Sequence, residues 1–484
     1  MNPASTRHRV VVIGNGMAGF RFAQTVSDHD PDIDLTIVGE ESGGAYNRVL
    51  LSNLLAGKSH EADLVLGDNR WYADRNISLR NVEAASIDRG AHEVLLADGD
   101  VVGYDTLVLA TGSTPLVPPI EGPGVVAFRT LEDCRRIDQL ANDVTEAVVV
   151  GGGVLGIEAA IALADRGVTV TVVQRAPRLM DRQLDRPAAA LLKRQLQARG
   201  IAVRCDATVR ETLGTTRTTG VVLEDDTTIS AGLVVLSCGV RPNVDLARDA
   251  DLAIRTGIVV DDHLRSVTDH NVLAIGECAE HRDTIYGLVT PVWEQARVAA
   301  STVVSPDLGA TYEGSTTVTR LKAAGIELAS MGEPTVEADE DDADADVVTY
   351  RDSGHGIYQK LVVQDGHITG AILLGDTRAA GTITQLYDRA AELPADRASI
   401  LIVRRNSPVS IVQSPTLLPN SATICRCNGV TKGSICAAWE DGSRTVNEIA
   451  TCTRATTGCG TCTDTVEGLL EWLSAADPSE LMSA

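Results

Sequence analysis

Two stretches of the chain carry the same hydrophobic phrase. Arg9-Val10-Val11-Val12-Ile13 is a short β-branched run that breaks into Gly14-Asn15-Gly16-Met17-Ala18-Gly19, after which apolar residues return at helical spacing. The phrase recurs as Ala147-Val148-Val149-Val150, then Gly151-Gly152-Gly153-Val154-Leu155-Gly156 and the apolar continuation from Ile157. Each copy is followed by a second strand, 34–38 and 169–173, and closes in an apolar strand running into a small-residue turn, 107–112 and 233–239. Strands alternating with helices predict parallel sheets, one per copy. A further strand and turn is read at 272–277. From about residue 311 the glycine-rich pattern stops and strand-like pieces such as 359–363 and 370–374 take over, predicting an α+β domain over 311–405. Residues 406–420 hold three prolines and no charge, the pattern of a linker, and lead to a small module at 421–472.

Composition narrows the function classes. The 484 residues carry 42 Lys+Arg against 66 Asp+Glu, a net charge of −24 that disfavours nucleic acid as a partner. Every apolar run is broken by charge well short of the roughly 18 residues a membrane span needs, and the N-terminus enters its first strand without a signal-peptide core. The expectation is a cytoplasmic protein without a membrane partner. Seven acidic side chains within 337–346 read as a solvated loop. His281, His355 and His367 lie far apart in sequence and read as surface residues.

The glycine phrases carry chemistry because of what surrounds them. A G-x-G-x-x-G that follows a strand and opens a helix places backbone N–H groups and a helix N-terminus against a pyrophosphate. Gly14 permits the turn, Gly16 the approach of the phosphates, and Gly19 close helix–sheet packing. Glu40, ending the next strand, can accept hydrogen bonds from ribose hydroxyls. The second copy has Gly151, Gly153 and Gly156 in the same places, but its second strand ends in Gln174-Arg175, which neither bonds a ribose 2′-hydroxyl as an acid would nor repels a 2′-phosphate. Two such units imply two dinucleotides.

Six of the ten cysteines fall between Cys425 and Cys462. Cys425-Arg426-Cys427 and Cys459-Gly460-Thr461-Cys462 form C-x-C and C-x-x-C pairs, suited to a 2Fe–2S cluster or a tetrahedral zinc. Small neighbours at Asn428-Gly429 and Thr457-Gly458 suit loops that offer N–H groups to anionic sulfides.

Over residues 9–300 the chain resembles the two-dinucleotide FAD/NAD(P)H oxidoreductases. Within them it is most similar to the flavin part of assimilatory NADH nitrite reductases and to the electron-transfer subunits of assimilatory nitrate reductases. The residues that carry this are 12–19, Tyr46-Asn47-Arg48-Val49-Leu50-Leu51-Ser52, Ala110-Thr111-Gly112-Ser113, 128–133, Gly239-Val240-Arg241-Pro242, 274–278 and Thr319-Arg320-Leu321-Lys322. The resemblance implies two Rossmann-like domains. FAD would be held by 1–118 with 241–310, and NAD(P)H by 119–240. It implies FAD contacts from Gly14, Gly16, Met17, Ala18, Gly19, Glu40, Arg48 (pyrophosphate), Ser52, Ala84 (adenine, through its backbone), Ala110, Thr111, Gly112, Arg129 and Glu277. For NAD(P)H it implies Gly151, Gly153, Val154, Leu155, Gly156, Glu158 (close to the nicotinamide), Gln174, Arg175 and Gly239. Residues 421–472 resemble the bacterioferritin-associated-ferredoxin-type 2Fe–2S domain, with Cys425, Cys427, Cys459 and Cys462 as ligands. Cys436 and Cys452 fall outside that resemblance and read as packing residues.

Two departures stand out. Glu277 replaces the Asp of most relatives. Asn53 replaces a Lys that many carry beside the flavin, so no cation is expected there. Segment 40–60 has no cysteine, which excludes the redox-disulfide and peroxide-reducing chemistries of the wider class. The implied activity is that of an electron-transfer flavoprotein. Electrons pass from NAD(P)H, NADH preferred, through FAD and a 2Fe–2S cluster to a separate protein, a molybdenum-containing assimilatory nitrate reductase. The alternatives are a nitrite-reducing or ferredoxin-like partner, or a zinc-stabilised regulatory flavoprotein. No further cysteine set of the sirohaem type follows the module, so the chain is not expected to reduce nitrite itself. The module is expected to be tethered and movable.

Overall fold

The computed structural model describes residues 7–305, 309–323, 325–336, 345–402, 418–458, 460 and 462–476. The two glycine phrases open two parallel sheets of five strands each. In the first the order is Val272–Ala274, Thr106–Leu109, Arg9–Ile13, Asp34–Val38 and Ser78–Arg80. In the second it is Val125–Ala127, Leu233–Leu236, Glu146–Val150, Thr169–Val173 and Ala202–Arg204. The central strands are Val- and Leu-rich because helices cover both faces, so alternation disappears and nearly every side chain is buried. Each unit also carries a three-stranded antiparallel meander, 84–103 and 209–230, a second level of repetition that the glycine pattern did not announce.

The chain leaves the first unit through Ser113–Pro115 and returns through Val240–Pro242; the two strands pair antiparallel and form the joint between the units. Strands Val318–Ala323, Ile326–Gly332, Ala345–Asp352, Ile357–Gln364 and His367–Leu374 form a five-stranded antiparallel sheet backed by helix Ala380–Asp388. The terminal module is a short hairpin, Thr423–Cys425 with Val430–Thr431, followed by helices Lys432–Glu440, Val446–Thr453 and Thr463–Ala476 around Ile435, Ile449, Val466 and Leu469. Thr445 and Glu448 start its second helix with a reciprocal capping box.

Several sequence expectations change here. Residues 418–420 belong to the module rather than to a linker, since the Lys432 ammonium donates to the Leu418 carbonyl (2.9 Å) and the Gly433 N–H to that of Asn420 (2.8 Å). Residues 406–417 lie outside the described residues, as do 337–344 of the acidic run, while 345 and 346 open strand Ala345–Asp352. His281 is buried and bonded to Asp262 (2.8 Å), not a surface residue. Cys452 is exposed, its thiol meeting Ser443 Oγ (3.4 Å), and is not a buried packing residue.

The third domain is fastened to the second unit by a buried cluster. Asp185 caps helix Arg186–Ala198 through the Ala188 N–H (3.0 Å), and its other oxygen accepts from Lys360 Nζ (3.0 Å) and the Tyr358 hydroxyl (2.5 Å). Both charged side chains are at most 3% exposed. Breaking a buried pair strands the remaining charge, so Lys360→Met should cost about 3 kcal/mol, while Asp185→Asn with Lys360→Met should recover most of that loss. Urea titration of the two variants checks this, and equal stabilities would contradict it.

Candidate functional site

Both glycine turns have the same local geometry. Gly14 and Gly151 take φ of +112° and +115°, and a Cβ on either would sit 2.1 Å from the carbonyl oxygen of Ala110 or Ser237 on the neighbouring strand. Only glycine fits there. Gly19 and Gly156 press equally closely on the carbonyls of Gly14 and Gly151, locking helix to turn. Gly16 and Gly153 are different: each sits at a helix N-cap, and an added Cβ would meet nothing within 4 Å because it would project into open space. That space is where a pyrophosphate can meet the helix N-terminus.

In the first unit this opening is one end of a long cleft. Gly14, Gly16, Met17, Ala18, Glu40, Arg48, Ala110, Thr111, Gly112, Arg129 and Glu277 line it, so the structure gathers most of the expected FAD contacts. Gly19, Ser52 and Ala84 are not on its wall; Gly19 is packed against the Gly14 turn, and Ala84 is buried where the first meander begins. Arg129 and Glu277 form an ion pair inside the cleft, bridged by Ser113, whose hydroxyl donates to Glu277 (2.6 Å) and accepts from Arg129 (2.8 Å). Arg129 Nε and Asn15 Nδ2, also in wall residues, are buried without a partner among the described residues. Such donors, with the cradle left open at Gly16, fit a bound dinucleotide rich in acceptors. Arg48 is turned to Glu41 and lies over the Tyr46 ring (5.5 Å). Burial pushes the Tyr46 hydroxyl up to about 12, so it stays protonated and donates to Glu41 (2.7 Å). Asn243, with no role assigned from sequence, ties the cleft together through reciprocal bonds with Thr111 (3.0 and 2.7 Å).

The expected gap at Asn53 is filled from elsewhere. Lys322, on strand Val318–Ala323 of the third domain, reaches across so that its ammonium donates to Ser52 Oγ (3.1 Å) and the Val49 carbonyl. The same ammonium pairs with Glu158 (3.3 Å), which also accepts the Lys322 backbone N–H (2.8 Å). A cation therefore does stand beside Ser52. Glu158, expected close to the nicotinamide, is buried at this junction and engaged by Lys322. Local reading stopped at position 53, and only the strand pairing that carries residue 322 back could have shown the replacement.

In the second unit Val154 and Leu155 open helix Val154–Asp165, Gly239 (φ +97°) turns at the joint, and Gln174 folds back to accept the Gly152 N–H (2.7 Å). Arg175 is left exposed beyond it.

The cysteine module is docked on the first unit. Cys425, Cys427 and Cys462 are buried, and Gly458 packs so closely that a Cβ there would lie 3.1 Å from Cys427 Sγ, which brings the chain entering residue 459 against the first cysteine pair. Cys459 itself lies outside the described residues, and no metal-holding set of three Cys, His, Asp or Glu is complete among the described residues. Four-thiolate chemistry nevertheless fits this donor set, because Asn428 Nδ2 already faces Cys425 Sγ (3.8 Å) as a donor to a sulfur ligand. Across the interface Asn47 Nδ2 donates to Asn428 Oδ1 (2.9 Å), Arg21 to the Asn428 carbonyl (2.7 Å), and Asn53 Nδ2 to the Gly458 carbonyl (3.4 Å). Arg454 grips the carbonyls of Val65 (2.6 Å) and Asp63, and Arg426 pairs with Asp388 of the third domain. Burial lowers the Arg21 guanidinium to about 10, so it remains a cation at neutral pH.

Comparison with known proteins agrees with this anatomy. Residues 318–390 match the rubredoxin NAD+ reductase C-terminal domain, and 423–472 the BFD-like [2Fe-2S] binding domain. Nitrite reductase [NAD(P)H] of Bacillus subtilis is 36% identical over 97% of this chain, and the assimilatory nitrate reductase electron transfer subunit of the same organism 35% identical over 97%. The alignments take in only 58% and 60% of those relatives' own lengths. Among solved structures, an NAD-dependent persulfide reductase from A. fulgidus superposes with a TM-score of 0.72 at 27% identity, covering 79% of this chain and 76% of that one. No helix among the described residues is long and apolar enough to cross a membrane. The chain thus carries sites for FAD, NAD(P)H and a 2Fe–2S cluster. With residues 8–302 matching its model, it belongs to the pyridine nucleotide-disulphide oxidoreductase family.

Proposed function

We propose that this chain moves electrons from NAD(P)H to a separate acceptor protein, an assimilatory nitrate reductase of the molybdenum-containing kind, and that it works in the cytoplasm. The observation that supports this best is the position of the cysteine loop. Asn428, next to Cys427 and facing Cys425 Sγ, is bonded to Asn47 and Arg21 of the flavin-cleft unit, so the cysteine loop is docked on the unit that carries the cleft, and electrons collected there would have a short way out. When bound, FAD supplies the conversion of a two-electron hydride into single electrons that the cluster can carry. The chain's own residues bind and orient. The Gly14–Gly19 turn would cradle phosphates and Glu40 would meet the ribose, while the Arg129–Glu277 pair lines the same cleft. The absence of cysteine in 40–60 leaves no thiol to receive electrons in the cleft itself. The name of the 35%-identical relative supports a nitrate-reducing partner.

Cys462→Ser should remove the cluster and leave FAD in place. Dye reduction by NADH should then stay within about twofold of the parent while partner reduction falls below about a hundredth, since a hard hydroxyl ligand holds iron poorly. Full partner turnover by this variant would contradict the proposed path. A parent protein that is yellow from FAD but holds zinc and shows no iron–sulfur absorbance would support the regulatory alternative instead.

Gly16→Val should fold normally, because its Cβ meets no protein atom, yet purify without FAD because the branched side chain takes the phosphate's place. A parental far-UV circular dichroism spectrum and the melting temperature of FAD-stripped parent, with loss of the yellow chromophore, are the expected observations.

For the nicotinamide, NADH should be favoured in kcat/KM. A preference of more than about tenfold for NADPH, roughly 1.4 kcal/mol, would reverse that assignment. Exposed Arg175 is the cation placed to admit a 2′-phosphate, so Arg175→Ala should lower residual NADPH activity more than NADH activity.

A further inference from the structure

Docking of the cysteine module rests on a few polar contacts, and one of them, between two buried amides, is part of a continuous link. Asn47 is completely buried. Its Oδ1 accepts the Val49 N–H (3.0 Å), the backbone of a cleft-wall residue, and its Nδ2 donates to Asn428 Oδ1 (2.9 Å). Asn428, also buried, turns its Nδ2 toward Cys425 Sγ (3.8 Å), the Arg454 carbonyl (2.7 Å) and Thr457 Oγ1 (3.1 Å). The amide pair therefore joins the cleft wall to a cysteine of the cluster loop without a gap. Beside it, a Cβ on Gly429 would lie 3.0 Å from both the Trp293 ring and the Arg21 guanidinium, so the hairpin tip sits flat on the first unit. Val292, the neighbour of Trp293, lines the cleft.

The face is nonetheless not built like a permanent core. Arg21 Nε, Trp293 Nε1 and Arg454 Nε are buried there without partners among the described residues, and the grip of Arg454 is on main-chain carbonyls. An interface that is polar and incompletely paired resembles transient interdomain contacts rather than obligate ones.

We infer that this face of the flavin unit is a reversible docking site for the chain's own cluster module, that the docked arrangement is the electron-accepting state, and that Asn47 is the positioning residue that sets it. The inference rests on the proposed electron path and adds where the first transfer occurs. One electron at a time leaves the reduced flavin for the oxidised cluster while the module is docked; delivery to the partner follows from the released module. Asn47 acts through Asn428 and is not among the residues that line the cleft, so its role is positioning rather than catalysis.

The test uses the full-length holoprotein. Asn47→Asp keeps the acceptor for the Val49 N–H but sets a carboxylate oxygen against Asn428 Oδ1, and Asn47→Asp with Arg454→Met removes the second anchor as well. Stopped-flow mixing with NADH follows flavin reduction and cluster bleaching separately, while backbone hydrogen exchange over 424–430 reports whether the dock has opened. The expected result is flavin reduction within about twofold of the parent, iron content and the reduced-cluster EPR signal unchanged, and cluster bleaching slowed about tenfold or more in the double variant as exchange at 424–430 rises. An opened dock with cluster bleaching at the parental rate would overturn the inference and leave the electron path standing. A parent protein whose cluster NADH cannot bleach would overturn the path and the inference together.

Discussion

Three of the four structural units meet on the ammonium of Lys322. It comes from the third domain, hydrogen-bonds Ser52 and Val49 of the first unit, and pairs with Glu158 on the first helix turns of the second. Both charges are largely removed from water, so neither unit can shift without leaving one of them unpaired at a cost of several kcal/mol. That penalty fixes the angle between the two glycine-loop units better than their two-stranded joint can, because a joint of three residues on each side permits hinge motion. The Asp185–Lys360 pair performs the same task farther out, holding the third domain against the second unit. The relative placement of the two glycine-loop units thus depends on lysines from a domain that contributes none of the described residues lining the first unit's cleft.

This explains what could be read from sequence. The glycine turns were legible because their constraint is local: Gly14 and Gly151 must adopt positive φ and lie against a neighbouring carbonyl, and no other residue does so. Parallel sheets followed from the same periodicity. Lys322 was visible as part of Thr319-Arg320-Leu321-Lys322 but had no legible partner, since Ser52 and Glu158 are brought to it only by tertiary packing across long stretches of chain. His281 was misread for the same reason: its burial and its bond to Asp262 come from strand Ala279–His281 packing inside the first unit, which no local spacing reveals. Residues 418–420 look like linker by composition, yet the carbonyls of Leu418 and Asn420 are used by the module's first helix.

Asn53 and Lys322 are two parts of one arrangement. Asn53 stands on the wall segment that faces the cysteine loop, where its amide reaches the Gly458 carbonyl, one residue before an expected cluster ligand. A lysine at 53 would bring a long, strongly hydrated ammonium to this interface, beside Arg21 and Arg454, which already occupy it as cations. A third positive charge there would repel its neighbours and hold water that docking must expel. Supplying the ammonium from the opposite side, through Lys322, keeps a positive charge on Ser52 and Glu158 while leaving the outer wall short, neutral and able to donate a hydrogen bond. The cation beside Ser52 and the docking of an iron–sulfur module on the same short helix are compatible because they approach it from different faces.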